Sequence, residues 1–152
     1  EDGVVKFSSI LIPETHNIFY ADENWAYKNG VKIEVSKIQT LQHAILNYSP
    51  KRVKAYINDD KKMCHFLDET WNHLYLYSCA SAFSMVTEGK IDGWFFYPKY
   101  GNVWDTIPGW FLIQQAGGKV TNFWSDTWNI FNPKVIFSNG HIHAEFQKLL
   151  EL

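Results

Sequence analysis

One aspartate in this chain stands where its side chain could either cap a helix or hold a cation. Asp105 follows Trp104 at the start of a predicted helix. A carboxylate in the first turn of a helix complements the helix dipole and accepts hydrogen bonds from the first backbone amides. The same carboxylate can instead bind a hard cation just beyond the helix end. From this residue alone capping is the more common role, and cation binding is the alternative.

The first third of the sequence predicts an antiparallel meander that would support this helix. Residues 4–12 are rich in β-branched side chains, and residues 13–15 predict a turn into a returning strand over residues 16–21. Asn29-Gly30 then lies between two runs of alternating apolar residues, which is a strong signal for a hairpin.

After residue 36 the pattern changes to short strands that alternate with helices. Ser78 is a predicted N-cap and Gly89 a predicted stop for the first of these helices, and Asn139 a predicted cap for the last. Helices are predicted over residues 79–88, 104–116 and the segment after 139, with partial helix over 51–67. Strands are predicted over residues 44–48, 74–77, 91–97, 119–123 and 135–138. This order predicts a layered α/β (α+β sandwich) fold in one compact unit over residues 1–152, with the strands of a central antiparallel sheet in 1–36 and the α/β part in 37–152.

Four segments carry specific motifs in a fixed order. They are the hairpin NIFYADENWAYKNGVKIEVS, the helix start Ser78-Cys79-Ala80 followed by GKIDG, the segment WDTIPGWFLIQQAGGKVTNF, and the closing segment after FSN. In this order and spacing they resemble the signature of the inositol monophosphatase family of magnesium-dependent phosphatases. The resemblance covers nearly the whole chain and implies that family's fold.

The resemblance also implies a reaction and a cofactor. In the family, carboxylates hold two or three Mg²⁺ ions, which polarise a phosphate monoester and activate a water that attacks phosphorus. Asp105 matches the carboxylate of the Trp-Asp helix and is the predicted metal ligand. Ser78 and the amides of Cys79 and Ala80, at a helix N-terminus, are the predicted substrate contacts. The catalytic group is unassigned, and the substrate is a small phosphate monoester of inositol, of a related sugar or of a nucleotide.

The other metal ligands of the family do not occur in these 152 residues. They belong to a Glu-Glu pair and an Asp-Pro-x-Asp-Gly-Thr segment, and the matching hairpin begins just past the position of the latter. We therefore expect a C-terminal fragment that is inactive without the N-terminal part of the same protein. We also expect an exposed apolar surface where that part would pack, which a homodimer could cover.

The chain departs from the family pattern near the expected substrate. Pro98 stands where members that act on inositol phosphates have a glutamate, Tyr77 replaces a glycine, and Ala82 replaces an Asp or Asn. Pro108 replaces a small residue and is expected in the first helical turn, where proline is tolerated. These departures motivate a second hypothesis, a non-catalytic scaffold or regulatory interaction protein derived from the family.

Composition excludes several other classes of protein. Hydrophobic residues make up 46% of the chain and the formal charge is −2, which argues against a basic nucleic-acid-binding surface. Cys64 and Cys79 cannot form a disulfide framework. No signal peptide is visible and no apolar run reaches the ~20 residues that a bilayer span needs. We expect a cytoplasmic protein without membrane contact.

The remaining polar and aromatic clusters have simpler interpretations. His141 and His143 are close in sequence, but no second pair stands at ligand spacing, so no zinc site is predicted. The paired acids at 59–60 and 68–69 are expected to be solvated. Five tryptophans could stack on sugars or bases, and packing is the favoured role for them: Trp94, Trp104, Trp110, Trp124 and Trp128.

Overall fold

A computed structural model describes residues 4–47, 68–70, 72–76, 78–96, 103–132 and 134–150. Within these residues the chain forms two β-sheets and three complete α-helices. The helices are α1 (Cys79–Thr87), α2 (Val103–Gln115) and α3 (His143–Leu150). The partial helix predicted over 51–67, and the departures at Tyr77 and Pro98, lie outside the described residues.

The first sheet is the antiparallel meander that the sequence predicts. Its strands lie in the order β1 (Ser8–Ile12), β2 (Asn17–Ala21), β3 (Ala26–Lys28) and β4 (Val31–Ile33). β1 is shorter than the predicted strand over 4–12, because its pairing with β2 begins at Ser8.

The turn between β3 and β4 follows directly from two residues. Asn29 and Gly30 have φ values of 49° and 84°. A two-residue hairpin loop with positive φ at both positions matches the twist of its flanking strands, and Asn-Gly is the preferred pair for it. The predicted hairpin is confirmed.

The second sheet has mixed strand directions. It contains β5 (Ile45–Asn47), β6 (Asn72–Leu74), β7 (Gly93–Phe96), β8 (Lys119–Asn122) and β9 (Val135–Ser138), in the order β6-β5-β7-β9-β8. β5 is parallel to β6 and β7, whereas β9 is antiparallel to β7 and β8. The strand predicted over 74–77 is displaced, since β6 ends at Leu74.

Helices α1 and α2 lie between the two sheets, and α3 covers the far face of the second. One core cluster joins Phe19 of β2, Phe83 of α1, Leu112 of α2 and Phe137 of β9. A second cluster packs α3 against the other face of the second sheet, through residues that include Leu46, Phe95, Ile136, Ile142 and Phe146. The layers are therefore sheet, helix pair, sheet and helix, which confirms the predicted layered α/β fold.

No helix in the described part of the chain has both the length and the apolar character that a bilayer crossing requires.

The two central helices approach each other closely at Gly109. A Cβ atom on Gly109 would lie 2.1 Å from Cγ of Phe83, so only glycine fits at this crossing. The Phe83 ring is itself held edge-on against Trp94 and Phe137, at centroid distances of 5.1 and 4.8 Å. Phe83 and Gly109 thus join the first half of α1 to the middle of α2.

Helices α1 and α2 run in the same direction. At the end of α2, the carbonyl of Ala116 accepts a hydrogen bond from the Val35 N–H at 3.1 Å. At the end of α1, Gly89 lies against the same segment, and a Cβ on Gly89 would be 3.0 Å from the Ser36 nitrogen. The last turns of both helices therefore lie beside residues 34–36, and both helices begin at the opposite side of the molecule. We call these two sides the carboxyl end and the amino end of the helix pair.

Candidate active site

Helix α1 begins with a capped turn at the amino end of the helix pair. The Ser78 hydroxyl accepts a hydrogen bond from the Ser81 N–H at 3.2 Å, which confirms the predicted cap. The Ser78 carbonyl accepts the first intrahelical bond, from the Ala82 N–H at 3.1 Å. The N–H groups of Cys79 and Ala80 come before this first bond and point out of the helix start. Such a turn attracts anions and electron-rich oxygens.

The segment that leads into α1 is fixed to the second sheet. Asn47, the last residue of β5, is 1% exposed, and its side-chain carbonyl accepts a hydrogen bond from the Leu76 N–H at 2.8 Å. This bond holds Leu76, two residues beyond the end of β6, on the approach to Ser78. The start of α1 therefore lies at the carboxyl ends of the parallel strands β5 and β7, the edge at which α/β sheets bind ligands.

Asp105 lies in the first turn of α2, as the sequence predicts. It is partly exposed, between Trp104, which is 68% exposed, and the buried Thr106. Because α2 runs parallel to α1, Asp105 is at the same end of the helix pair as the capped turn of α1. The structure thus brings the predicted metal ligand and the predicted substrate contacts to one side of the molecule.

The Asp105 carboxylate at the amino end is suited to be one ligand of a magnesium ion. A carboxylate is the kind of hard oxygen donor that Mg²⁺ prefers, and Mg²⁺ often takes only one or two protein carboxylates, with waters and phosphate oxygens completing the shell. Among the described residues, no group of three or more His, Cys, Asp or Glu side chains could hold a metal ion. Asp105 therefore fits a single ligand position and does not by itself form a site for several ions.

The chain matches the sequence model of the inositol monophosphatase family over residues 1–151. It belongs to that family. It is 30% identical to the fructose-1,6-bisphosphatase/inositol-1-monophosphatase of Thermotoga maritima, in an alignment that covers 99% of this chain and 57% of that protein. It is 28% identical to the protein of the same description from Archaeoglobus fulgidus, over 91% of this chain and 51% of the relative.

Solved structures show the same relationship. The Thermotoga maritima IMPase superposes with a TM-score of 0.84 at 28% sequence identity, over 99% of this chain and 57% of that one. The predicted family and fold are therefore confirmed. The chain spans just over half the length of the relatives that it matches.

Sequence reasoning missed the structural role of Asp92, a buried carboxylate at the carboxyl end of the helix pair. Asp92 is 3% exposed, and its oxygens accept hydrogen bonds from the Ile45 N–H at 2.6 Å and from the Ser36 hydroxyl. The Asn139 side-chain amide donates to the Ser36 hydroxyl at 2.9 Å and to the Ile38 carbonyl at 2.8 Å. This network joins four segments that are distant in sequence. The only sequence signal was the position of Asp92 directly before a strand in the GKIDG motif.

His143 lies in a second polar network at the same end. It is 1% exposed; Nε2 is 2.8 Å from the Thr121 hydroxyl and Nδ1 is 2.7 Å from the Ser138 hydroxyl. Thr121 donates its own hydrogen to the Asn122 carbonyl, so Nε2 is the donor to Thr121. Burial lowers the pKa of His143 to about 4, with a smaller contribution from the charge of Lys119, so the ring is neutral and Nδ1 accepts from Ser138. His143 is thus held in its neutral form between Thr121 of β8 and Ser138 of β9.

The position of Pro108 differs from the expectation. Helix α2 begins at Val103, so Pro108 is its sixth residue and lies in the second turn rather than the first. In a helix interior a proline offers no N–H to the carbonyl four residues earlier, here that of Trp104, and its ring crowds that carbonyl.

The tryptophans divide between packing and surface. Trp94 is buried in the core, and Trp110 stacks on Trp128 with ring centroids 4.6 Å apart. Trp104 and Trp124 are 68% and 55% exposed, so packing does not account for every tryptophan.

An apolar groove of about 660 Å³ runs along the side of α2, lined mainly by Val4, Val5, Ile107, Trp110, Phe111 and Trp128.

Proposed function

We propose that these residues are part of a Mg²⁺-dependent phosphate monoester hydrolase that acts on an inositol phosphate or a related sugar or nucleotide phosphate. The observation that carries this proposal is the placement of Asp105 and the capped start of α1 at one end of a parallel helix pair. Family membership supports the reaction class, and the two named relatives are described as phosphatases of an inositol phosphate and of a sugar bisphosphate.

Each residue at the amino end has a distinct role in this proposal. Asp105 holds one metal ion through its carboxylate. The N–H groups of Cys79 and Ala80, aided by the positive end of α1, bind an oxygen of the substrate. The Ser78 hydroxyl accepts the Ser81 N–H, so its own hydrogen can be donated to a second substrate oxygen. Bound Mg²⁺ supplies the charge that polarises the phosphoryl group and acidifies a water.

The remaining metal ligands must come from outside these 152 residues, which contain neither a Glu-Glu pair nor an Asp-Pro-x-Asp-Gly-Thr segment. We propose that the N-terminal part of the same protein supplies them. The 152-residue chain alone should then release no phosphate under conditions in which the full-length protein does.

Replacement of Asp105 tests the proposal directly. The full-length protein would be assayed for phosphate release from inositol 1-phosphate and fructose 1,6-bisphosphate as Mg²⁺ is varied. Because loss of a residue that merely supports a metal ligand costs 10- to 100-fold, Asp105→Asn should lower kcat/KM by at least about 100-fold. Asp126→Asn, the same substitution at an exposed position, should change it less than about twofold. Unchanged turnover in Asp105→Asn would remove the metal-ligand assignment.

One observation favours the non-catalytic alternative. Ala82, which stands where the family pattern has an Asp or Asn, is fully buried between the helices and brings no polar group to the amino end. If the full-length protein hydrolyses neither ester with Mg²⁺, and Asp105→Asn changes none of its binding properties, a scaffold or regulatory role becomes the better account.

A homodimer is a further proposal for the exposed apolar surface. The first sheet and the residues before it expose large apolar side chains, among them Phe7, Leu11 and Ile18. Sedimentation of the 152-residue chain should show self-association that decreases when Leu11 and Ile18 are both replaced by Thr. A strictly monomeric chain would contradict it.

A further inference from the structure

Helix α2 is divided by Pro108 into a first turn and a body. The carbonyl of Trp104 receives no bond from position 108, because proline has no N–H there. Prolines inside helices are the usual cause of kinks above about 20°. The bond from residue 108 to the Trp104 carbonyl, which a regular helix has, therefore does not join the first turn, residues 103–107, to the body, residues 109–115.

The body of α2 is held firmly on three sides. Gly109 lies directly on the Phe83 ring of α1, and Leu112 is fully buried in the core. The Ser8 hydroxyl of β1 donates to the Pro108 carbonyl at 3.2 Å, which fixes the start of the body to the first sheet. At the far end, the Ala116 carbonyl accepts the Val35 N–H.

The first turn carries Asp105 and is less enclosed. Trp104 is 68% exposed, Asp105 and Ile107 are partly exposed, and Thr106 is the buried member of the turn. The direction of this turn relative to the fixed body therefore decides where the Asp105 carboxylate lies.

We propose that Pro108 is a positioning residue that sets the location of the Asp105 carboxylate at the amino end, and through it the affinity for a divalent cation. This inference rests on the proposed function, in which Asp105 binds the metal. Asp105 is three residues, or roughly 5 Å along the helix axis, from Pro108. A change of about 20° in the direction of the turn moves the carboxylate by roughly 2 Å, whereas metal–ligand distances tolerate about 0.2 Å.

The test is to restore the missing N–H. In full-length protein carrying Pro108→Ala, residue 108 can donate to the Trp104 carbonyl, and the proline ring no longer constrains the direction of the first turn. Mn²⁺, used as a spectroscopic substitute for Mg²⁺, would be titrated without substrate and followed by electron paramagnetic resonance. We expect the affinity to fall by roughly tenfold, while the midpoint of thermal unfolding stays the same or rises, since alanine is the better helix residue.

Two further variants and one independent measurement keep this result interpretable. Pro13→Ala changes an exposed proline in a short 3₁₀ turn and should leave Mn²⁺ affinity unchanged. Pro108→Ser also restores the N–H and should reproduce the loss of affinity. In metal-free protein, amide hydrogen exchange of residues 104–107 should slow in Pro108→Ala, because the first turn then shares the bonding of the body.

The outcomes separate this inference from the proposed function. If Asp105→Asn abolishes Mn²⁺ binding while Pro108→Ala and Pro108→Ser keep wild-type affinity, the positioning role of Pro108 is overturned and the metal-ligand role of Asp105 stands. If neither Asp105→Asn nor Pro108→Ala changes Mn²⁺ binding, both are overturned. A loss of affinity in both Pro108 variants, with unfolding midpoints retained, supports the inference.

Discussion

The two ends of the helix pair use an aspartate in opposite ways. At the carboxyl end, Asp92 is 3% exposed and accepts hydrogen bonds from the Ile45 N–H and the Ser36 hydroxyl. At the amino end, Asp105 is partly exposed in the first turn of α2. The Asp92 carboxylate is closed off from solvent, whereas a partly exposed carboxylate at a helix start is within reach of a cation. One aspartate, Asp92, thus stabilises the fold at the carboxyl end, and the other, Asp105, binds a metal ion at the amino end in our proposal.

The ends also differ in how far apart in the sequence their partners are. The Asp92–Ser36 bond joins residues 56 positions apart, and the Asn139–Ser36 bond joins residues 103 apart. The capped turn of α1, by contrast, is made by Ser78 and residues three and four positions later. The buried aspartate of the carboxyl end is thus held by long-range bonds, whereas the capped turn of the amino end is formed by local bonds within one helix start.

Asp92→Ala should give the largest effect on stability. It leaves the part-buried Ile45 N–H without its acceptor and removes the partner of the Ser36 hydroxyl. Since each unsatisfied buried donor costs about 1–3 kcal/mol, the free energy of unfolding should fall by about 3 kcal/mol in urea titrations. Variant protein that remains folded should bind Mn²⁺ as the wild type does. A loss below about 1 kcal/mol would mean that Asp92 does not hold the carboxyl end together.

Because His143 is buried at the carboxyl end, we expect the stability of the fold to depend on pH through this residue. Burial lowers its pKa to about 4 in the folded chain, against 6.5 for an exposed histidine. Below pH 6.5 the unfolded chain therefore binds a proton that the folded chain excludes, so stability falls as the pH is lowered and levels off below about 4. Between pH 7.5 and pH 5.0 this loss should be about 2 kcal/mol.

The measurement is urea unfolding of the wild type and of His143→Gln at both pH values. The difference between the two proteins isolates His143 from the other histidines, and the variant should lack that portion of the pH dependence. Equal pH dependence in both proteins would show that the His143 ring is not held neutral by Thr121 and Ser138.

Ser78→Ala should give the smallest effect, at the amino end. Loss of the cap should lower the free energy of unfolding by about 1 kcal/mol, because the Ser81 N–H loses its acceptor. If the full-length protein has the proposed activity, Ser78→Ala should also raise KM for the phosphate ester a few-fold. Ser78→Thr keeps the hydroxyl and should restore most of both properties. An unchanged KM in Ser78→Ala would show that Ser78 caps the helix and does not contact the substrate.

Local patterns explain why much of the fold was predictable from the sequence. Asn29-Gly30 predicted the hairpin, because few other pairs accept positive φ at both positions. Ser78 and Gly89 predicted the limits of α1 for similar reasons, one as a cap and the other as a left-handed stop with φ 72°. In each case the physical cause lies within a few residues.

What could not be predicted depends on contacts between distant residues. The approach to α1 is held by the bond between Leu76 and Asn47, which are 29 residues apart. Asp105 and Ser78 were found individually from their motifs. Their position at the same end depends on the parallel course of α1 and α2, which is fixed by the contact of Ala116 with Val35 and could not be read from spacing.

The most direct test of the contrast between the two ends is Mn²⁺ titration of full-length Asp105→Asn, with its urea unfolding measured in parallel and Asp92→Asn as the counterpart. The account predicts that Asp105→Asn loses at least tenfold in Mn²⁺ affinity and loses less free energy of unfolding than Asp92→Asn does. Asp92→Asn should lose stability and, while folded, keep its affinity for Mn²⁺. Wild-type Mn²⁺ affinity in Asp105→Asn would contradict the assignment of Asp105 as a metal ligand, and with it the proposed chemistry of the amino end.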